Sequence, residues 1–375
     1  MTAKHETSSM FLQLEHMIDD ELERIAAKEL VNDEELGEIS TKTIREFQND
    51  APLDLARQLK KRSASMLRNR RRLERGFQKR NFKRWKPAFD QIEIVWHASQ
   101  ELGSEFNNEF RTDAHSENDF VFEALIKLHG RGLLVAKEAI HLLKGGFPDG
   151  ALSRWRTLHE IFVTGMFITK HGQEIAERYL ANSEFTRFSA AVQLNEYADR
   201  ANLSKFSPKE LEDLKSRRDS FEGTYGKEMR KAYGWARPAF HNLKDTKRIT
   251  FMDIEEDTGL DHWRPRFKWA SQHTHAGNRD FGSLLAESES DKHQIIVGES
   301  NSGFVDPLQM TALHISSLTT ILLLLRPNID TLVMTQAINL LAQDVAEIAM
   351  TTEQSTFDEA QGRKTRKRFW TSLKS

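Results

Sequence analysis

Residues 151–168 read ALSRWRTLHEIFVTGMFI and have the pattern of a buried helix. At 100° per residue the apolar side chains surround the helix axis, so almost no face of this helix suits solvent. Arg156, His159 and Glu160 nevertheless share one arc of the helical wheel. Because unpaired charges are costly to bury, we expect a partner network or a ligand to meet this arc. The arc is therefore the first place to look for function.

Most of the remaining chain also carries helical periodicity, and the sequence predicts an all-α, multi-helix bundle with a minor β-hairpin. Only 8 prolines and 19 glycines occur in 375 residues, which favours helix over sheet. Pro52 and Pro87 are each expected to start a helix, and GGFPDG (145–150) is expected to separate two antiparallel helices. Residues 293–307, HQIIVGESNSGFVDP, predict the hairpin because β-prone stretches flank a polar turn. The predicted helices cover residues 10–29, 33–50, 52–85, 88–111, 118–144, 149–170, 173–202, 208–220, 225–234, 261–275, 307–325 and 329–350.

Charge divides the chain into an acidic and a basic part. Residues 1–56 carry 14 Asp or Glu and 5 Lys or Arg, whereas residues 57–86 carry 14 Lys or Arg and one acid, Glu74. Such asymmetry indicates pairing within the chain or binding to a polyanion. The predicted parts are an acidic helical arm (1–56), a basic helix (57–86), a helical core domain (87–355) and a basic tail (356–375).

The basic helix is expected to bind nucleic acid, either RNA or DNA. Its cations lie all around the helix, and Phe77, Phe82 and Trp85 can stack on bases. Three alternatives stay open: a solvated helix, pairing with residues 1–56, and a hybrid in which those residues mask the basic helix until a target competes. The candidate phosphate contacts are Lys60, Lys61, Arg62, Arg68, Arg70, Arg71, Arg72, Lys79, Arg80, Lys83 and Arg84.

Composition excludes several classes of site and protein. The sequence has no cysteine, so disulfides, thiolate catalysis and cysteine-type zinc sites are excluded. The mean hydropathy is -0.60, the longest apolar run is too short to span a bilayer, and residues 1–17 do not resemble a secretory signal. We therefore expect a cytoplasmic protein with no membrane partner. No metal-binding motif is present, and neither a metal nor another cofactor is expected.

The segment EAIHLLKGGFPDGALSRWRTLHEI (138–161) carries a recognisable pattern, which continues in AERYL (176–180), FKWASQHTHAG (267–277) and IIVGESNSG (295–303). This pattern resembles an uncharacterised bacterial helical family, domain-of-unknown-function family 5677. The resemblance covers about residues 70–350 and leaves the acidic head outside. It implies a helical fold and brings no activity.

The charged arc has a catalytic and a structural interpretation. In the first, Arg156 clamps an anion, Glu160 or His159 is a general base, and Glu138 joins them from the facing helix. In the second, Arg156 and Glu160 form an ion pair that fixes the helix register. The residues expected to complete a pocket for an anionic ligand are Arg178 and Tyr179.

Two spacings, Arg154…His159 and Arg266…His273, resemble the helical HEPN ribonucleases, whose motif is Arg, four to six residues, then His. The resemblance implies that Arg holds the scissile phosphate and that His acts on the 2′-hydroxyl or leaving group. In a helix the first pair is separated by about 140°, whereas seven steps return the second pair to nearly one direction. The alternative for His273 and the nearby His275 is a helix C-terminus, where histidines meet the last carbonyls.

These observations predict a cytoplasmic bacterial effector that acts on nucleic acid, with a HEPN-like, metal-independent ribonuclease in phage defence as its enzymatic form. Two other classes stay open. One is a non-catalytic helical binding or adaptor protein, and the other is a sensor of an anionic small molecule or nucleotide. A homo-oligomer such as a homodimer is expected, and a partner from a neighbouring gene stays open.

Overall fold

The structure is a computed structural model that describes residue 23 and residues 33–243, 247–275, 284–289 and 296–372. Apart from Glu23, the predicted helix 10–29 lies outside the described residues. The chain divides into two units, residues 1–74 and residues 75–375. The packing and the sites described below, other than the basic helix, belong to the second unit.

The described residues form α-helices joined by short loops and 3-10 turns, and they contain no strand. The all-α prediction is confirmed. None of these helices is both long and apolar enough to cross a lipid bilayer. The α-helices are α1 (Asp33–Ser116), α2 (Phe120–Gly145), α3 (Pro148–His171), α4 (Gln173–Ala201), α5 (Pro208–Tyr225), α6 (Phe251–Thr258), α7 (Arg264–Gln272), α8 (Val305–Leu323) and α9 (Ile329–Ser372). The 3-10 turns are Lys227–Arg230, Gly234–Ala239, Asp261–Trp263 and Leu285–Glu287.

Helices α2 and α3 form the antiparallel pair that the sequence predicts. Gly146 ends α2 in the left-handed conformation, with φ 88°, and Pro148 occupies the first turn of α3. The pairing brings Gly150 against Leu142, Gly132 against Leu158 and Gly165 against Leu125. A Cβ atom at Gly132 would lie 2.3 Å from Leu318, and one at Gly165 would lie 2.9 Å from Ile321, so these two glycines make room for side chains of the later helix α8.

The core lies around α2 and α3, and α8 packs against both of them. Leu152, Trp155 and Leu158 of α3 are fully buried, as the apolar wheel predicts. A second group of buried side chains joins residues 85–95 of α1 to α2, α8 and α9, and in it Trp85 stacks on Phe304 at 4.9 Å. Burial of these apolar side chains supplies the main stabilisation of the fold.

The predicted β-hairpin at 293–307 is wrong for its described part. Residues 296–304 have no regular structure, and α8 begins at Val305. Ser300 donates its backbone N–H to the Gly146 carbonyl at 2.9 Å. The Ser300 and Ser302 hydroxyls donate to the Ala286 carbonyl at 2.7 and 2.9 Å. The Ser300 backbone N–H, which a β-strand would pair with a neighbouring strand, thus bonds to the turn between α2 and α3 instead. The two serine hydroxyls fix this segment to the 3-10 turn Leu285–Glu287.

Helix α1 is 84 residues long and runs without interruption through Pro52 and Pro87. The expectation that a helix starts at each proline is therefore wrong. A proline within a helix removes one hydrogen bond and costs about 3 kcal/mol. Long helical stretches on both sides offset this cost, because each further residue adds a hydrogen bond once the helix exists.

Two shorter predictions also need correction. The helix predicted at 225–234 is replaced by the end of α5 and two 3-10 turns, which Gly226 and Gly234 separate and bend. The sequence reading missed α6, which Thr250 starts by accepting a hydrogen bond from the Asp253 N–H.

Candidate functional site

A chain of hydrogen bonds, which we call the His159 relay, runs through the core from α8 to the surface. Nδ1 of His159 lies 2.9 Å from Nε2 of His314, and Nε2 of His159 lies 2.9 Å from Glu255. Arg264 donates to the other oxygen of Glu255. His159 and Glu255 have no exposed surface, whereas 26% of the Arg264 side chain is exposed. The relay therefore connects a sealed interior to solvent.

Aromatic rings enclose the relay. Trp155 stacks on His159 with ring centroids 5.5 Å apart, and Phe251 and Phe267 lie at 6.0 and 5.6 Å. Such a surrounding lowers the local dielectric and strengthens each hydrogen bond within it. It also explains why the carboxylate of Glu255 needs both His159 and Arg264 as partners.

The proton arrangement of the relay follows from burial. Burial lowers the pKa of His159 and of His314, so both rings are neutral at pH 7. A neutral His159 donates Nε2–H to Glu255, and its Nδ1 accepts Nε2–H from His314. Nδ1 of His314 then accepts from the Trp155 indole at 3.3 Å, although the Met310 carbonyl lies at 2.9 Å and favours the opposite tautomer. We assign the His314 tautomer with its proton on Nε2, because the hydrogen bonds then run in one direction from Trp155 through His314 and His159 to the Glu255 carboxylate.

Beside the relay lies a partly exposed group that we call the Arg156 cluster: Arg156, Glu160, Tyr233 and Arg264. Arg156 pairs with Glu160 at 3.0 Å and donates from Nε to the Ser271 hydroxyl at 2.9 Å. Burial raises the pKa of Glu160, although Arg156 lowers it in part. A half-buried carboxyl group beside arginines can exchange protons nearer neutral pH than an ordinary glutamate can.

Tyr233 contributes an unusual backbone conformation to the Arg156 cluster. Its φ of 55° lies in the left-handed region, which residues other than glycine rarely adopt. Burial raises the pKa of its hydroxyl, and the charges of Glu160, Arg156 and Arg264 also act on it. Residues held in such conformations are concentrated at functional sites.

Glu138 does not join Arg156 and Glu160. It pairs with Arg154 at 2.6 Å, and both side chains are half-buried. His275 is exposed, and the Ser271 hydroxyl donates to the Phe267 carbonyl at 2.8 Å. The structure thus places Glu138 and His275 outside the Arg156 cluster.

Arg266 and His273 also lie in different surroundings. Nδ1 of His273 is 3.0 Å from Asp149, and its side chain is 3% exposed. The Arg266 guanidinium lies 5.4 Å above the Trp263 ring. Burial alone would raise the pKa of Asp149, but hydrogen bonds from His273 and from the Leu285 and Ala286 backbones hold it below its usual value. His273 thus joins α3 to the loop after α7.

Arg178 and Tyr179 support the 3-10 turns that follow α5. Arg178 is buried and donates to the carbonyls of Trp235 and Tyr225 at 3.2 and 3.1 Å. Tyr179 meets the Trp235 ring edge to face at 5.1 Å, and burial raises the pKa of its hydroxyl. Arg178 also donates to the Glu228 carboxylate at 3.0 Å, so its guanidinium is committed to partners within the protein.

Most of the predicted nucleic-acid contacts are exposed on α1. The exceptions to free exposure are Arg70, which pairs with Glu74 at 2.7 Å, and Arg84, which is half-buried and pairs with Glu289 at 2.5 Å. Phe82 is 39% exposed, whereas Trp85 belongs to the core. The exposed cations that have no carboxylate partner among the described residues are Lys60, Lys61, Arg62, Arg68, Arg71, Arg72, Lys79, Arg80 and Lys83.

Sequence reasoning missed Glu255, Arg264, His314 and Tyr233. Glu255 and His314 lie 96 and 155 positions from His159, so no local spacing announces them. The available signal was the expectation that a polar network meets the arc on α3. Within the described part of the chain, no three His, Asp or Glu side chains are arranged to hold a metal ion.

Part of this chain is similar to a known protein family. Residues 122–293 match the model of a family of unknown function, DUF5677. The matched range holds His159, Glu255 and Arg264, and it excludes the basic helix and His314. No curated protein and no solved structure matches the chain.

Proposed function

We propose that this chain binds nucleic acid through the basic helix 57–86. The family model that matches residues 122–293 describes no function, so the proposal is argued from the chain's own residues. The observation that carries this proposal is the row of exposed cations that lack carboxylate partners in the described residues. Keeping many like charges on one helix is unfavourable unless a polyanion neutralises them. By analogy with other helical families, we propose the bacterial cytoplasm and phage defence as its setting.

Charge reversal on α1 tests this proposal. The full chain carrying Arg68→Glu, Arg71→Glu and Arg72→Glu is titrated against fluorescein-labelled single-stranded RNA and duplex DNA by anisotropy. We expect Kd to rise about tenfold or more at moderate salt, because three phosphate contacts are lost. The logarithm of affinity should also fall less steeply with the logarithm of salt concentration.

The matched control is a triple reversal on α5, at Lys209, Lys215 and Arg217, which are also exposed. It changes the net charge equally and should leave Kd nearly unchanged. Equal weakening by both triples would show an effect of net charge and would contradict binding by the basic helix.

A second candidate function is RNA cleavage at the Arg156 cluster. Both histidines of the HEPN-like spacings are buried and bound to carboxylates, so we assign the acid–base role to Glu160. Its raised pKa suits proton transfer, and Arg156 and Arg264 suit a phosphate.

The half-buried Arg154–Glu138 pair supplies a control of the same residue types for this activity. We expect Arg156→Ala and Glu160→Gln to lower the rate of RNA cleavage at least a hundredfold, as loss of a general acid or base does. Arg154→Ala and Glu138→Gln should leave the rate within about twofold. Equal rates in all four variants would reject the catalytic role.

A further inference from the structure

A cavity of about 410 Å³ opens beside the 3-10 turns that follow α5. Four cationic side chains line it, Lys227, Lys231, Arg237 and Lys247, together with Glu228. We propose that this cavity binds a small phosphorylated molecule of nucleotide size. The proposal is independent of nucleic-acid binding by the basic helix.

The charge of the cavity favours an anion. Its carboxylate, Glu228, accepts from the buried guanidinium of Arg178 at 3.0 Å, so an internal partner already neutralises it. Lys247 pairs with Asp253 at 3.2 Å. Lys227 and Lys231 are exposed, and neither forms an ion pair with a described carboxylate. The excess positive charge at the mouth of the cavity is therefore available to phosphate groups.

The wall of the cavity is held rigidly. Arg178 donates to carbonyls of Tyr225, Trp235 and Gly234, and thereby ties the end of α5 to the second 3-10 turn. A Cβ atom at Gly234 would lie 1.8 Å from the Glu228 carbonyl oxygen, so the two turns pack backbone to backbone. A preformed wall lowers the entropic cost of binding a ligand.

Size and lining distinguish among phosphate ligands. Pockets for small molecules range from about 300 to 1,000 Å³, and this cavity falls within that range. Ala232 and Ile249 add apolar surface, which suits a base or sugar ring better than a bare phosphate ion. A concave site of this volume also fits one nucleotide better than a long strand.

Competition binding with the full chain tests the proposal. Fluorescent trinitrophenyl-ATP is the probe, and ATP, inorganic tripolyphosphate and a 12-nucleotide single-stranded RNA are the competitors. We expect ATP to displace the probe, and Lys227→Glu with Lys231→Glu to raise Kd at least tenfold. The control pair Lys209→Glu and Lys215→Glu should leave Kd within twofold, and circular dichroism checks that each variant is folded.

Three outcomes would overturn the proposal: an unchanged Kd in the cavity variant, displacement by RNA without displacement by ATP, and displacement by neither ATP nor tripolyphosphate. Displacement by tripolyphosphate as strong as that by ATP would support the phosphate site and assign the affinity to phosphate alone. The α1 triple variant should bind the probe normally, so failure of this proposal is distinguishable from failure of nucleic-acid binding.

Discussion

At the scale of single residues, Glu255 occupies a costly position, because its charged side chain is fully buried. It is a buried carboxylate whose partners come from α3 and α7. Removing one partner of a buried pair is costlier than never having placed the pair there, because the remaining charges stay desolvated. The relay is therefore a source of sensitivity to mutation, whatever its role in function.

We expect Glu255→Ala to lower the free energy of unfolding by about 3 kcal/mol, since His159 and Arg264 lose their shared acceptor. Urea denaturation followed by circular dichroism measures this change. Glu256→Ala, at the exposed neighbouring position, should alter stability by at most about 0.5 kcal/mol. Similar losses in the two variants would mean that the relay contributes nothing particular.

A pH dependence follows from the buried histidines. Burial lowers the pKa of His129 to about 4, and it also lowers the pKa of His159 and His314. The unfolded chain takes up protons below about pH 6.5 while the native rings stay neutral, so stability falls with pH. For His129 this costs at most about 1.4 kcal/mol for each pH unit between about pH 6.5 and its native pKa of about 4, and His159 and His314 add to the loss in the same direction.

Urea midpoints measured between pH 7.5 and 5.5 check this expectation. His129→Gln should reduce the dependence of stability on pH, because glutamine does not titrate. Its amide takes the place of the buried imidazole beside Gly103 and Thr319. A stability that is flat across this range would contradict neutral burial of the three rings.

At the scale of helices and turns, the local sequence predicted the turn between α2 and α3 correctly, but it predicted helix starts at Pro52 and Pro87 wrongly. The turn GGFPDG predicted the α2–α3 pair because glycine and proline act on their own backbone. The hairpin at 293–307 failed because Ser300 and Ser302 bond to residues far along the chain. The helix starts predicted at Pro52 and Pro87 were wrong because each proline removes only one backbone hydrogen bond. The many other hydrogen bonds of the long helix α1 offset that free-energy cost.

The close contact between the two 3-10 turns gives a test at this scale. Gly234→Ala should lower the free energy of unfolding by at least about 2 kcal/mol, because the new Cβ meets the Glu228 backbone rather than a movable side chain. Gly223→Ala in α5, where nothing lies within 4 Å, should instead stabilise the protein by about 0.5–1 kcal/mol. Thermal melting compares the two, and a harmless Gly234→Ala would show that the turns can separate.

At the scale of the whole molecule, the sequence predicted the all-α fold class, whereas it did not reveal which residues contact the buried charges. The apolar wheel of 151–168 correctly marked a core helix and correctly called for a polar network at His159. The partners of that network are brought by α6, α7 and α8, and only tertiary packing chooses them. The charge of the basic helix, by contrast, is a property of composition and could be read directly.

The proposed nucleic-acid surface has a footprint that follows from helix geometry. Residues 57–74, the part of the basic helix within the first unit, span about 27 Å at 1.5 Å per residue, which matches about 8 base pairs at 3.4 Å each. Affinity for blunt duplexes should therefore climb with their length up to at least about 8 base pairs before it levels off. An affinity already at its plateau with 4 base pairs would point to a much smaller patch. The minimum target would thus be defined by the length of a duplex and not by its base sequence.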